Sequence, residues 1–398
     1  MGKRLRGLFV AVAVLSGVLV VPVAGAAAAE QVEKNMYFPH GPVRVLDTRA
    51  TGPVGPYATT RLRISGAHGM PSGVVAVAVN LTVTDATGAG FLTAWADGTE
   101  RPGTSNVNFA PGRSVPGLAF VEVGASGDIL LGNGSGASIA VIADVVGYFK
   151  PGPGLGYGGP VGPTRLVDTR NTGQRIPGGT ALSVGVGQPG EQVVLNIKVT
   201  EPLAPGYVVV HAGGTARPGT SNLNYLPNQT VSNTVVAPVG ADGTVRVFTT
   251  AHTHLIVDRT ASFTPQATPG YRPVVPVRTH DSRVDPSGPI PPGGSSVVNT
   301  FSPEIPTEGE GAMTGTVNTI TVVEPESGGH FVAESQWSPQ PSGTSIDFSA
   351  AQTTSNLMTP GWNRRNHPPQ LIFGPFLRSS WTTAPTHVVI DTVGYFAN

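Results

Sequence analysis

Short apolar runs rich in Val, Ile and Thr recur along the chain, among them Val74 to Val83, Phe91 to Trp95, Leu118 to Val123 and Ile139 to Val146. Clusters of Gly, Pro, Asn and Asp separate them, which is the punctuation of strands rather than of helices. The segment Val239-Gly240-Ala241-Asp242-Gly243-Thr244-Val245 reads as a hairpin with an Asp-Gly turn, because glycine accepts the positive φ that the tight connection requires. The pattern predicts an all-β chain. Composition narrows it further: of 398 residues 53 are Gly and 38 Pro, which cost about 1 and 3 kcal/mol in a helix interior, so long helices are excluded. A hydrophobic share of 39% is too large for a solvated disordered tail.

Self-similarity organises these strands. Val45-Leu46-Asp47-Thr48-Arg49 is answered by Leu166-Val167-Asp168-Thr169-Arg170 and, more faintly, by Thr279-His280-Asp281-Ser282-Arg283, so the copies start 121 and 113 residues apart. Arg101-Pro102-Gly103-Thr104-Ser105-Asn106-Val107-Asn108-Phe109 matches Arg217-Pro218-Gly219-Thr220-Ser221-Asn222-Leu223-Asn224-Tyr225, while the third copy keeps Pro341-Ser342-Gly343-Thr344-Ser345 and then Asp347-Phe348. Each copy closes on an apolar strand carrying one aspartate: Asp144 before Gly147-Tyr148-Phe149, Asp258 in a run ending at Phe263, and Asp391 before Gly394-Tyr395-Phe396. A unit of about 115 residues is too long for a propeller blade or solenoid rung and has the size of a self-sufficient domain. Three tandem β-sandwich or small-barrel domains are therefore expected, at 37–150, 160–264 and 272–398, each with its own core. Gly- and Pro-rich stretches from Lys150 to Pro163 and from Thr264 to Pro276 are the expected linkers, leaving the domains as beads with limited mutual freedom.

Residues 1–29 have the parts of a secretory signal peptide: Lys3, Arg4 and Arg6, an apolar run from Leu8 to Val23, then small residues ending at Ala27-Ala28-Ala29. The apolar run is short of the ~20 residues of a spanning helix, and no later stretch is long enough, so the mature chain is expected to be secreted without a transmembrane anchor. Removal of the leader leaves 21 basic against 24 acidic side chains, a net of −3. So weak a field does not steer a protein toward nucleic acid or an anionic membrane, and nucleic acid is not expected as a partner. No sorting tail precedes Asn398, so attachment to a cell wall is expected to be loose and non-covalent. Cysteine is absent, which removes disulfides, thiol nucleophiles and Cys-zinc sites.

The Asp-Thr-Arg strings, the Arg-Pro-Gly-Thr-Ser-Asn-x-Asn-aromatic strings and the closing aspartate followed by Gly-Tyr-Phe resemble a repeat family of about 110 residues, frequent in secreted proteins of high-GC Gram-positive bacteria. The likeness covers nearly all of residues 37 to 397 and implies a non-catalytic, extracellular β module. It transfers no binding residue. Copy two departs from the pattern at Arg259 to Phe263, which lacks the Gly-Tyr pair, and copy three departs throughout.

Several repeated polar residues are candidates for chemistry. Asp47 and Arg49, Asp168 and Arg170, and Asp281 and Arg283 stand two apart, hence on one face of a strand. They are expected to cap turns and to pair within the domain, as do Asp144, Asp258 and Asp391, which sit in apolar runs and need donors or a cation. One donor is the repeated arginine. No Asp-x-Asp-x-Asp loop supports calcium, so no metal is expected. The stretches Thr104, Ser105, Asn106, Asn108, Phe109 and Thr220, Ser221, Asn222, Asn224, Tyr225 place hydroxyls and amides beside an aromatic ring, the chemistry of a sugar site and equally of turns between strands.

Copy three carries an insertion of about seven to nine residues near Gly361 to Pro369. Its Trp362, Arg364 and Arg365 are side chains favoured at binding hot spots; drift of a terminal copy is the alternative. His252 and His254 share a strand face as a weak metal pair. No Gly-x-Ser-x-Gly elbow, His-Glu-x-x-His helix or phosphate loop occurs, so neither an enzyme nor a cofactor is expected. The sequence thus points to a non-catalytic protein binding an extracellular glycan or cell-wall polymer through weak repeated sites, with a spacer or self-assembling coat as the alternative and a secreted hydrolase as the third reading.

Overall fold

Along Ala76–Thr84 successive side chains enter two different buried environments. Val77, Val79, Leu81 and Val83 fill a core belonging to the first repeat, whereas Ala76 and Ala78 join an apolar cluster drawn from all three repeats. Period-two alternation thus gives this strand one face for its own sandwich and one for its neighbours. The computed structural model describes Gly2 and residues 34–159, 163–286, 288–297, 313–334, 343–361, 376–380 and 384–398. Gly2 apart, the expected leader lies outside this set, as do the insertion residues Trp362, Arg364 and Arg365.

The fold is all-β, and each repeat is a two-sheet sandwich. In repeat one the inner sheet runs β1 (Asn35–Asp47), β8 (Ala140–Pro151), β3 (Ala76–Thr84), β6 (Val115–Glu122). Its outer sheet runs β2 (Thr59–Arg63), β7 (Asp128–Asn133), β4 (Gly90–Ala96), β5 (Val107–Phe109). Repeat two has β10 (Thr164–Asp168), β17 (His254–Thr264), β12 (Gln192–Thr200), β15 (Val231–Pro238) inside, with β9 (Gly156–Gly158) added to β17. Outside are β11 (Thr180–Gly185), β16 (Thr244–Thr249), β13 (Gly206–Ala212), β14 (Leu223–Tyr225). Repeat three has β18 (Gly270–Asp281), β25 (His387–Ala397), β20 (Met313–Val323), β23 (Thr354–Met358) inside and β19 (Ser295–Val297), β24 (Phe376–Ser380), β21 (Gly329–Glu334), β22 (Ile346–Phe348) outside. Among the described residues all strand pairs are antiparallel. Among the described residues no helix is long and apolar enough to cross a membrane.

Each sandwich has a core of its own. The repeats are nevertheless not strung out as beads. Residues 34–398 form one body, β1 pairs β18 at Asn35 and Tyr271 to join two inner sheets, and the shared cluster seals the centre. The stretches read as linkers take part: β9 and the start of β18 each place a buried tyrosine, Tyr157 and Tyr271, in that cluster.

Aromatic rings link the repeats in a cycle. Tyr37 stacks on Phe263 of repeat two with centroids 4.4 Å apart, Tyr157 on Phe396 of repeat three at 3.8 Å, and Tyr271 meets Phe149 of repeat one at 4.6 Å. The glycine of the Gly-Tyr-Phe string makes room for this. A Cβ on Gly147 would overlap the Tyr37 hydroxyl, and one on Gly394 the Tyr271 hydroxyl, where those groups donate to the carbonyls of Val146 and Val393 at 2.8 and 2.9 Å.

Repeat two carries Ala261 at this place, because its Tyr157 turns toward repeat three, donates to Thr359 O at 2.6 Å and lies against Gly315. Gly147→Ala and Gly394→Ala are each expected to cost about 1–3 kcal/mol through overpacking, whereas Ala261→Gly should cost less than about 1 kcal/mol. Chemical denaturation of the three variants checks the contrast.

Candidate functional site

The Asp-Thr-Arg string ends a strand and starts a turn. Asp47 closes β1 and caps the single helical turn Thr48–Thr51, accepting from the Arg49 amide at 3.2 Å. Arg49 then folds back onto the same carboxylate, with Nε and Nη2 at 2.9 and 2.6 Å. Asp168 with Arg170 and Asp281 with Arg283 repeat the arrangement to within about 0.1 Å. These hydrogen bonds from arginine hold the Asp47 and Asp281 carboxyls down to about 2 and lower Asp168 as well. The hydroxyl between them fastens the turn to the closing strand: Thr48 accepts from Val141 N, Thr169 from Leu255 N and Ser282 from Val388 N, at 2.8 to 3.0 Å.

The closing aspartates are buried, with Asp258 and Asp391 wholly inaccessible. Their donor is not the arginine of the Asp-Thr-Arg string. It is Arg44, Arg165 or Arg278, three residues before that string's aspartate, which grips the closing aspartate with two hydrogen bonds of 2.6 to 3.4 Å and also reaches Asp47, Asp168 or Asp281. Burial raises the Asp391 carboxyl in spite of Arg278. Asp258 also receives the Thr344 amide and hydroxyl of repeat three at 2.8 and 3.1 Å, and Arg278 donates to Gly103 O of repeat one at 3.2 Å. Asp258 and the Arg278–Asp391 pair thus serve junctions between repeats.

The Thr-Ser-Asn stretches also lie at those junctions. Thr104, Asn106, Asn108, Phe109, Thr220, Asn222 and Tyr225 are each less than 9% exposed, with Ser105, Ser221 and Asn224 half-buried. Asn106 and Asn222 cap the outer sheet, accepting from Ala94 N and Val210 N at 2.7 Å. Asn80 donates to Ser221 O and accepts from Asn233, while Asn196 donates to Thr344 O and accepts from Asn356. An interlocked amide pair thus joins repeat one to two and repeat two to three. At the third junction Thr319 and Gly117 occupy the equivalent positions. The hydrogen bonds also shift the alignment of copy three by one residue: Ser345 takes the capping role of Asn106, accepting from Ala333 N at 2.9 Å. Burial of this kind leaves the stretches without an open face for a polymer, although Asn224 and Tyr225 reach the wall of a cavity.

The histidines expected as a weak metal pair are held apart by different partners. His254 is buried on Thr169 Oγ1 at 3.1 Å and His252 is exposed beside the Gly178 amide. Among the described residues no three His, Asp or Glu side chains gather in a way that could hold a metal.

What the motif presents outward is its first residue. On the outer sheet of repeat one the Arg101 guanidinium lies 5.8 Å from the Phe91 ring centroid and 5.7 Å from that of Trp95. It is held there by the carbonyls of Gly132 and Asn133 at 3.3 and 3.5 Å. Gly132 and Gly134 let the rings lie close over the backbone, since a Cβ at either would strike Trp95 or Phe91. Tyr57 stands nearby against Gly136, 71% exposed. In repeat two Arg217 stacks on Phe248 at 3.8 Å, with Tyr207 in the place of Phe91 and 39% exposed. The signal was in the sequence: an arginine opening both Arg-Pro-Gly strings, with an aromatic near the start of the preceding strand.

No family model and no curated protein match the chain. A chain of the solved structure "Life in the extremes: atomic structure of Sulfolobus Turreted Icosahedral Virus" is similar at 9% identity over 92% of this chain and 89% of that one, with a TM-score of 0.19, too low for the likeness to carry any argument.

Proposed function

We propose that the protein is a secreted, non-catalytic binding module that engages an extracellular glycan or cell-wall polymer through weak sites repeated on its outer sheets. The observation that supports this is an arginine laid over an aromatic ring of the outer sheet at Arg101 and again at Arg217, with Phe91 and Tyr207 exposed on the same two sheets. An exposed ring covers the apolar face of a sugar while a guanidinium beside it donates to hydroxyls, and Tyr and Arg dominate binding hot spots. The shared centre of the repeats keeps the two patches at a fixed separation, so that a polymer engaging both gains avidity without a new contact.

Purified cell walls and insoluble polysaccharides should retain the mature protein in a pull-down. Arg101→Ala with Arg217→Ala should lower retention by about tenfold or more with the thermal midpoint unchanged. Failure of every polymer to retain the wild-type protein would remove the reading. Particle growth with concentration in light scattering, without polymer retention, would favour self-assembly in its place.

A further inference from the structure

A cavity of about 260 Å³ opens where the three repeats meet. The turn and first residues of β6, of β15 and of β23 each contribute to its wall, together with parts of β13 and β14 of repeat two and Asp347 of β22. It has room for several waters, at about 30 Å³ each, and therefore for one sugar ring. Four of its residues carry side-chain N–H donors: Arg113, Asn224, Gln229 and Gln352.

Asp347 supplies the acceptor. It lines the cavity and is 6% exposed. Its Oδ1 pairs with the buried Lys198 Nζ at 2.5 Å, while its Oδ2 is buried with no hydrogen-bond partner. Strand β22 holds the residue in place, with its amide donating to Ser232 Oγ of repeat two at 3.1 Å. Repeats one and two have Asn108 and Asn224 at this position, so the third repeat alone places a carboxylate there. A buried oxygen left without a donor is costly, and a small rotation of the carboxylate toward the cavity would let a ligand hydroxyl answer it.

We infer that this cavity is a binding site, separate from the outer sheets, for a small neutral polyhydroxylated molecule such as a monosaccharide. Asp347 accepts a hydroxyl and the surrounding amides and guanidinium donate to the others. Arg113 and Asp347 are the charged side chains of the lining, one of each sign, so the wall itself carries no net charge that would select an anion. The inference does not depend on the outer-sheet reading.

Titration of the 15N-labelled protein with glucose, galactose, N-acetylglucosamine and myo-inositol tests it. At least one should produce saturable amide shifts confined to residues 112–116, 229–232 and 352–355. Gln352→Trp, at a half-buried turn position that would fill the space, should weaken that binding by about tenfold or more without changing the thermal midpoint. The Arg101→Ala, Arg217→Ala variant should bind the same sugar as the wild type does, which separates this site from the outer sheets. Absence of shifts with all four compounds, unchanged affinity in Gln352→Trp, or saturation of the same amides by inorganic phosphate alone would each overturn the inference.

Discussion

Asp258→Ala is expected to lower the unfolding free energy by about 3–5 kcal/mol, the usual loss when one partner of a buried ion pair is removed. The carboxylate is inaccessible and takes two hydrogen bonds from Arg165 and two from Thr344. Without it, a partly buried guanidinium and two donors of the neighbouring repeat lose their acceptor together. Arg49→Ala is the matched control: that side chain is 47% exposed, and a surface pair is worth about 0–1 kcal/mol. Urea denaturation gives both values. Native-state hydrogen exchange should show the Thr344 amide losing protection in Asp258→Ala, although it belongs to another repeat. A loss below about 1 kcal/mol for Asp258→Ala would mean that Asp258 is not the junction fastener described above.

Phe263→Ala should be comparably severe, at about 3–5 kcal/mol. This ring is 1% exposed and lies within 6.4 Å of Tyr37, Phe120, Phe149, Tyr157 and Phe396, so its removal opens a hole bordered by all three repeats. Calorimetry of the wild-type body should show one cooperative transition, moved to lower temperature as a whole in the variant. Three resolved transitions, with only the second displaced, would show that the sandwiches unfold independently and that the central cluster is incidental.

The strands, their grouping into three sandwiches and the turn-capping aspartates were legible because each leaves a local mark: an apolar run, a Gly-rich break, a polar residue at a fixed offset. The junctions were not. Asn80, Thr82 and Thr84 in repeat one, and Asn196, Lys198 and Thr200 in repeat two, alternate with apolar neighbours as a solvent-facing row does, yet all are at most 8% exposed. Polar alternation shows that a face is not hydrophobic; it does not say whether water or another amide covers it. Arg44, Arg165 and Arg278 were passed over for the same reason, since a partner about a hundred residues away leaves no trace in local spacing. The Thr-Ser-Asn stretches drew attention as a sugar site because hydroxyls and amides beside an aromatic are common to recognition and to interdomain packing, and only burial tells them apart.

The turned Tyr157 limits how far such a chain can be made symmetric. Its ring fits because Gly315 stands opposite, whereas the register puts Gln192 at the matching place in repeat two and Ala76 in repeat one. A gene encoding repeat two three times over would regain the missing amide pair at the third junction but would set a glutamine against every such tyrosine. One encoding repeat one three times would avoid that clash and lose all the pairs, because Gly117 replaces the asparagine they need. The three segments are therefore a matched set whose order cannot be shuffled, and a tolerated substitution in one has to be sought together with its counterpart in the next.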